Sequence, residues 1–385
     1  MDNSKNGGTY DAADQNWRAY VRARDNGHTK YVDMARKCDD FYYGDQWDPA
    51  VKAKIEAQGR PVLTINEILP TVNTLLGEQT LKRADFLYKP KRNGNAQTAE
   101  ALTMVANHIA DDNRMDRKES RLFADGVIQE RGFFDIRMNW DDSIGGEIEI
   151  SVDDPLETLL DPDAKEYDPR TWKEVTNTRW MSIDDIRQQY GLEKANEVKH
   201  VLYTGGDNYG IDSVEIHDVT FSGIGRTTFT DAESVPDEDF ERTIRRIRVI
   251  ERQWRKLENT KYFVDPQTGD MRRVPQTWDK ERVAGFAERW ELEITSKLAS
   301  KIRWTVSADR ITLHDDWSPY KSFTKVPFFP FFRRGRPFGV VRNLLSPQEQ
   351  LNKVSSQELH VVNTSANSGW TVEQGTLTNM ETADL

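Results

Sequence analysis

Apolar residues recur along this chain with two different periods, and the change from one to the other divides it. From Tyr10 to Lys54 the positions Trp17, Tyr20, Val21, Tyr31, Met34, Ala35, Cys38, Phe41 and Tyr42 fall at helical spacings among charges, predicting an amphipathic helical segment. Gly59 to Asn66 reads as a turn followed by a short strand-like run. Asn66 is placed to cap a helix through Ile68, Val72, Leu75 and Leu76, with Pro70 in its first turn, where proline is tolerated. Helical periodicity returns from Ala96 to Arg131, with an interruption expected near Asp111 to Asn113 and Gly132 as the stop.

After Gly132 the period shortens to two. Phe133 to Asn139 and Ile148 to Val152 alternate around Asp142-Ser143-Ile144-Gly145-Gly146, the pattern of a hairpin. Val175 to Met181 predicts a strand, and Ser182-Ile183-Asp184-Asp185 a capping box opening a short helix to Tyr190. Thr204 to Asp239, rich in Gly, Asp and Ser, predicts a long loop or interdomain excursion with a boundary near Asp239. Beyond it, strands are expected at Ile244 to Trp254 and Lys261 to Val264, separated by Glu258-Asn259. A helix is expected from Asp279 to Lys301, then strands at Ile302 to Val306 and Arg310 to His314. The proline-interrupted run Val326 to Phe332 suits an edge rather than a central strand. The fold class is α+β.

The segment from Gly339 to Ala366 carries the sharpest local signal. Val340, Val341, Leu344 and Leu345 suggest a short apolar helical turn. Ser346-Pro347-Gln348-Glu349 then combines an N-cap serine, proline at the first helical position and glutamate at the third, predicting a new helix. That helix places Leu351, Val354, Leu359, Val361 and Val362 broadly on one side, and Gln348, Gln350, Asn352, Lys353, Gln357 and Asn363 on the others. Its polar faces are rich in amides rather than charges.

Composition narrows the chemistry. Length predicts two or three structural units, and 11 Trp, 12 Tyr and 16 Phe argue against disorder. A net charge of −11 argues against tight, non-specific neutralisation of phosphates. The single cysteine excludes an intrachain disulfide or a thiolate zinc site and suits a reducing cytoplasm. The polar N-terminus lacks the apolar stretch of a secretion signal, and no apolar run reaches the roughly 20 residues of a membrane span. No Gly-x-x-x-x-Gly-Lys-[Ser/Thr] occurs, so there is no P-loop for nucleotide phosphates. His217-Asp218 and His314-Asp315-Asp316 read as turn residues. Asp153, Asp154, Asp161, Asp163 and Asp168 lack the glycine and terminal glutamate of a calcium loop and also read as turn carboxylates. Glu197-Val198-Lys199 faintly echoes the carboxylate and lysine of metal nucleases, but falls on a predicted helix. No catalytic, cofactor or metal residues are assigned. The run from Arg242 to Arg248, with Arg245, Arg246 and Arg248, is a candidate for DNA or subunit contact, or for pairing with Asp237-Glu238-Asp239.

Four stretches, in order, resemble the portal proteins of short-tailed bacteriophages of the P22 type. They are Asp40 to Trp47; Arg60 to Asn66 running into Val72 to Glu78; Asp153-Asp154-Pro155 leading to Leu160 to Ala164; and Gly339 to Leu344 with Gln348, Asn352 and Ser356. The resemblance covers the chain from about Trp17 onward. It implies a ring, usually of twelve subunits, at one capsid vertex of the virion, assembled in the host cytoplasm, through which double-stranded DNA is packaged and later ejected. Its partners would be the terminase large subunit, head-to-tail adaptor proteins, and capsid and scaffolding proteins, with no membrane. The order of parts would make residues 1–239 wing, 240–336 clip and adjoining stem, and 337–366 a stem helix returning from the clip. Residues 367–385 would begin a further wing part whose remainder, with a crown, lies beyond Leu385. Arg342, Asn343, Gln348, Asn352, Lys353 and Gln357 would then face the channel, where amides and few cations let DNA slide. Two other readings stay open: a metal-dependent phage nucleic-acid enzyme and a head-to-tail adaptor or collar protein.

Overall fold

The computed structural model describes residues 4–83, 86–91, 94–140, 144–204, 209, 212–218, 243–266, 269–275 and 278–365. Their backbone mixes helix and sheet, as the α+β reading expects. Two compact units emerge. The first holds the residues up to Val32, Gly132–Pro327 and Phe332–Arg336. The second holds Asp33–Arg131, Phe328–Phe331 and the described residues from Pro337 on.

The first unit is built on antiparallel sheet. Helix α1 (Ser4–Ala23) is followed by α2 (Thr29–Tyr43), in which the division between units falls. Further on come strands β1 (Gly132–Asn139), β2 (Glu147–Asp153), β3 (Thr158–Leu160) and β4 (Glu174–Met181), helices α7 (Ile183–Tyr190) and α8 (Leu192–Thr204), and strand β5 (Val214–Asp218). Strand β6 (Thr243–Val264) is next, then β7 (Met271–Arg273), α9 (Lys280–Arg289), β8 (Glu293–Ala308), β9 (Ile311–Trp317) and β10 (Lys325–Phe328). The main sheet runs β3-β4-β6-β8-β9, with β5 and β7 also pairing with β6, and a smaller sheet runs β10-β1-β2.

Alternation along β6 decides which layer covers which face. Ile247 and Val249, with Val306, Ala308 and Ile311, meet Ile186, Ala195, Val198 and Leu202 of α7 and α8. Ile250, one residue out of phase, points the other way and packs with Leu159 against Tyr20 and Ala23 of α1. Buried Asn16 fixes that helix by donating to the Ile250 carbonyl at 3.0 Å and to the Ser307 hydroxyl at 2.7 Å.

The expected hairpin is present, with Phe133 opposite Asp153 and Asn139 opposite Glu147. So is the capping box: the Asp185 amide donates to Ser182 Oγ at 3.2 Å, and the Asp185 carboxylate accepts from the Ser182 amide at 3.0 Å. β10 lies at the edge of its sheet. Four expectations fail. β6 is one strand of 22 residues, unbroken at Glu258-Asn259, because those residues pair with Ala299 and Leu298 of β8. The helix expected from Asp279 to Lys301 ends at Arg289, and residues from Glu293 onward follow the ladder with β6, so strand pairing overrides the local helix preference of Glu, Lys and Ala. The stretch from Thr204 to Asp239 contains β5, although residues 219–239 lie outside those described. Finally, β4 and β5 before Asp239 pair with β6 after it, so one sheet crosses the expected boundary.

In the second unit α2 continues into α3 (Pro49–Ala57), α4 (Ile68–Leu81), α5 (Ala96–Asp112), α6 (Met115–Gln129) and α10 (Val341–Ser365). The break between α5 and α6 is where periodicity placed it, with Arg114 in the left-handed region at φ 50°. Cys38, Phe41, Ile68, Val72, Val127, Ile128, Val341 and Leu345 form the core. Gly126 is required there, since a Cβ would lie 2.5 Å from the Phe328 ring. α10 begins at Val341, not at Ser346: the Val340 amide donates to the Val127 carbonyl at 3.0 Å and anchors the start, and Pro347 sits inside the helix. No described helix is long and apolar enough to cross a membrane.

Candidate functional site: the amide face of α10

An extended strap, residues 60–67, joins α3 to α4 and has no strand beside it. Its amides still need acceptors. Helix α10 provides them: the Leu63 amide donates to Ser356 Oγ at 2.9 Å, Ile65 to Asn352 Oδ1 at 3.0 Å, and Glu67 to Gln348 Oε1 at 3.2 Å. Gln348 Nε2 returns a bond to the Ile65 carbonyl. The match is geometric. Two strand residues advance about 6.6 Å and four helix residues about 6 Å, so alternate strap amides meet every fourth helix side chain. The helix does the work of a neighbouring strand.

A second tier holds the lock. Asn352 Nδ2 donates to Gln46 Oε1 at 2.7 Å, Gln46 Nε2 to the Phe41 carbonyl at 2.8 Å, and Trp47 Nε1 to the Leu63 carbonyl at 3.1 Å. Asn66 donates to the Tyr42 carbonyl at 2.9 Å and accepts from the amides of Ile68 and Leu69, giving the cap expected of it. Gln348, Asn352 and Ser356 are 4%, 1% and 7% exposed, so this face is interior. Around it, Arg342 pairs with Glu130 at 2.9 Å; burial raises the Glu130 carboxyl above its usual range while Arg342 pulls it back. Lys37 and Lys353 flank Glu349 at 2.9 and 3.6 Å, and its hydrogen bond from Lys37 holds that carboxyl below the usual range. Burial pushes the Cys38 thiol up to about 12.

The faces expected of α10 are therefore exchanged. Gln348 and Asn352 do not face outward: the strap consumes their hydrogen-bonding groups. Leu351, Val354, Val361 and Val362, expected to pack inward, are 37% to 56% exposed. Arg342, Asn343, Lys353 and Gln357 do lie on the outside, with Gln357 accepting from Arg60. The signal that locates the lock is the spacing Gln348, Asn352, Ser356 set against Leu63, Ile65 and Glu67; amide content alone does not show on which side it lies.

The basic run separates into different roles. Arg248 donates to Asp212 at 3.1 Å and stacks 4.3 Å above the Trp180 ring, so it is an internal ion pair rather than a free contact. Arg245 is half-buried and reaches the Leu202 carbonyl, and Arg246 is exposed. The expected acidic counterpart, Asp237 to Asp239, lies outside the described residues. Asp154, Asp161 and Asp168 each accept from a backbone amide two residues ahead, and Asp163 pairs with Arg22 and Lys173, which is the turn chemistry expected. Asp153 instead pairs with buried Lys325. His314 packs edge-on against Trp304, and Asp315 holds Arg303; the side chains of His217 and Asp218 lie outside those described.

Three of the four stretches that carry the resemblance thus meet at one place: Gln46 and Trp47, the strap with Asn66, and α10 with Gln348, Asn352 and Ser356. A family model describing phage P22-like portal proteins matches residues 17–384 of the chain. No curated protein matches it.

Proposed function

Because the chain belongs to the P22-like phage portal protein family, a structural family whose members form ring channels for DNA at a capsid vertex, we propose that α10 is the element of this subunit that borders the DNA path. The supporting observation is the lock itself. It ties one face of a 25-residue helix to its own unit through neutral groups and leaves an outer face carrying Asn343, Gln350 and Gln357. Of the two cations expected there, Arg342 is neutralised by Glu130 and Lys353 lies beside Glu349. A face of uncharged amides releases few counterions from DNA and so does not hold it.

In this reading the assembled ring, of about twelve copies by analogy with the family, docks the terminase large subunit during packaging and adaptor proteins afterwards, within a shell of capsid and scaffolding proteins. Residues 337–366 would serve as a stem helix. The test is packaging into procapsids carrying Asn343→Lys, Gln350→Lys and Gln357→Lys together. These side chains lie outside the lock, so the ring should assemble, and DNA should enter several-fold more slowly, with the deficit shrinking as salt rises. A normal packaging rate with intact rings would remove α10 from the channel wall.

A further inference from the structure

The exposed apolar side chains of α10 follow a rule of their own. Pro347, Leu351, Val354, Glu358, Val361 and Ser365 are spaced four, three, four, three and four, the repeat by which one helix presents a seam to another. The lock occupies a different face, and nothing among the described residues covers this seam. A second stripe lies on α5, where Leu102, Val105 and Ile109 repeat at three and four, with Met104 beside them. Leu102, Met104 and Val105 are 49% to 63% exposed. Single exposed apolar residues are ordinary, but two heptad-spaced stripes on helices of one unit are not.

A closed ring needs two unlike patches on each subunit, because every copy must offer one face to the copy ahead and another to the copy behind. We propose that the α10 seam of one subunit packs against the α5 stripe of the next, making these two helices the two halves of the subunit contact. The occupant is a second copy of this chain. Charge agrees: α5 carries Glu100, Asp111 and Asp112 and no lysine or arginine, whereas α10 carries Arg342 and Lys353 on the face adjoining its seam. This rests on the ring reading above and adds to it which surfaces close the ring.

Because a heterologous contact is divisible, mixing decides the matter. Leu351→Lys with Val354→Lys spoils the seam, and Leu102→Lys with Val105→Lys spoils the stripe. All four positions are exposed or nearly so, and each variant is expected to keep the wild-type helical circular dichroism. By mass photometry of the full chain, the wild type should give rings and each variant alone monomers. An equimolar mixture should give particles of twice the monomer mass and nothing larger, since one good seam then meets one good stripe. Rings from either variant would overturn the inference while leaving the ring reading intact. So would dimers formed by the stripe variant alone, which would mean that seam packs on seam. A wild-type chain that stayed monomeric at every concentration would sink the ring reading, and this inference with it.

Discussion

Each unit of the molecule buries one polar centre, and the two are made of opposite materials. In the second unit the centre is the amide lock between α10 and the strap, which is neutral throughout. In the first it is ionic: Lys325 on β10, 1% exposed, reaches Asp135 at 3.0 Å and Asp153, while Arg137 bridges Asp135 and Glu251 at 2.6 Å each. Neutral amides lose only hydrogen bonds when disturbed, in small and separable steps. Buried charges fail together, because removing one partner strands another in a medium that cannot solvate it. The lock is therefore suited to a helix that must be held while its outer faces bear load, and the ionic centre to fixing β10 at a sheet edge that must not slip.

The largest effect should come from the ionic side. Lys325→Ala leaves two buried carboxylates without their cation and should destabilise the first unit by about 3–5 kcal/mol in chemical denaturation. Adding Asp135→Asn and Asp153→Asn to Lys325→Met should recover much of that loss. If Lys325→Ala cost no more than an exposed substitution, the contrast between the centres would be wrong.

Next in size is Asn352→Leu, which keeps approximate volume but leaves the Ile65 amide and Gln46 carbonyl oxygen without partners. A loss of about 2–4 kcal/mol is expected from two such orphaned groups. The Ile65 amide should exchange its hydrogen sooner than amides in the core of α4. Unchanged exchange there would mean that the strap does not depend on the helix.

Acid separates the centres without mutation. Burial alone would raise the Asp135 carboxyl, but Lys325 and Arg137 overcome it and hold it below its ordinary range. The folded state then binds that proton less readily than the unfolded chain. The resulting stabilisation is complete above the unfolded value, about 4, and is lost as pH falls through the lower folded value. The amides of the lock do not titrate. Glu130 beside it has the opposite sign: its raised carboxyl contributes most at low pH and loses that contribution as pH rises. On acidification, hydrogen exchange should therefore rise in β1 and β10 before it rises at Ile65. Simultaneous loss would refute the separation.

What could be read from the chain follows from how locally each feature is determined. The Ser182 capping box, the β1–β2 hairpin and the break before Arg114 depend on a few consecutive residues, and all were legible. The extent of β6 and β8 was not, because Glu258, Asn259 and the residues near Lys297 take their conformation from each other across a hairpin. α10 failed for a third reason. Ser346-Pro347 is a sound helix start in isolation, but Val340 is already anchored on Val127, so the helix begins earlier and accommodates the proline. Its amphipathicity was visible and its polarity was misassigned: hydrophobic-inside is a rule for helices that pack on side chains, and this one packs on a backbone whose amides require acceptors.

The smallest effect isolates that last point. Gln357 and Asn352 are amides one and a half turns apart on the same helix, and both bond to the segment beginning at Arg60. Gln357 meets the end of an arginine side chain at the surface, where water replaces either partner at little cost. Gln357→Ala should therefore change stability by no more than about 0.5 kcal/mol, as exposed substitutions generally do, against the several-fold larger loss at Asn352. A cost at Gln357 approaching that at Asn352 would mean that the lock extends a further turn along α10. The outer polar face would then be narrower than proposed, and Asn343 and Gln350 would remain as the amides free to border the channel.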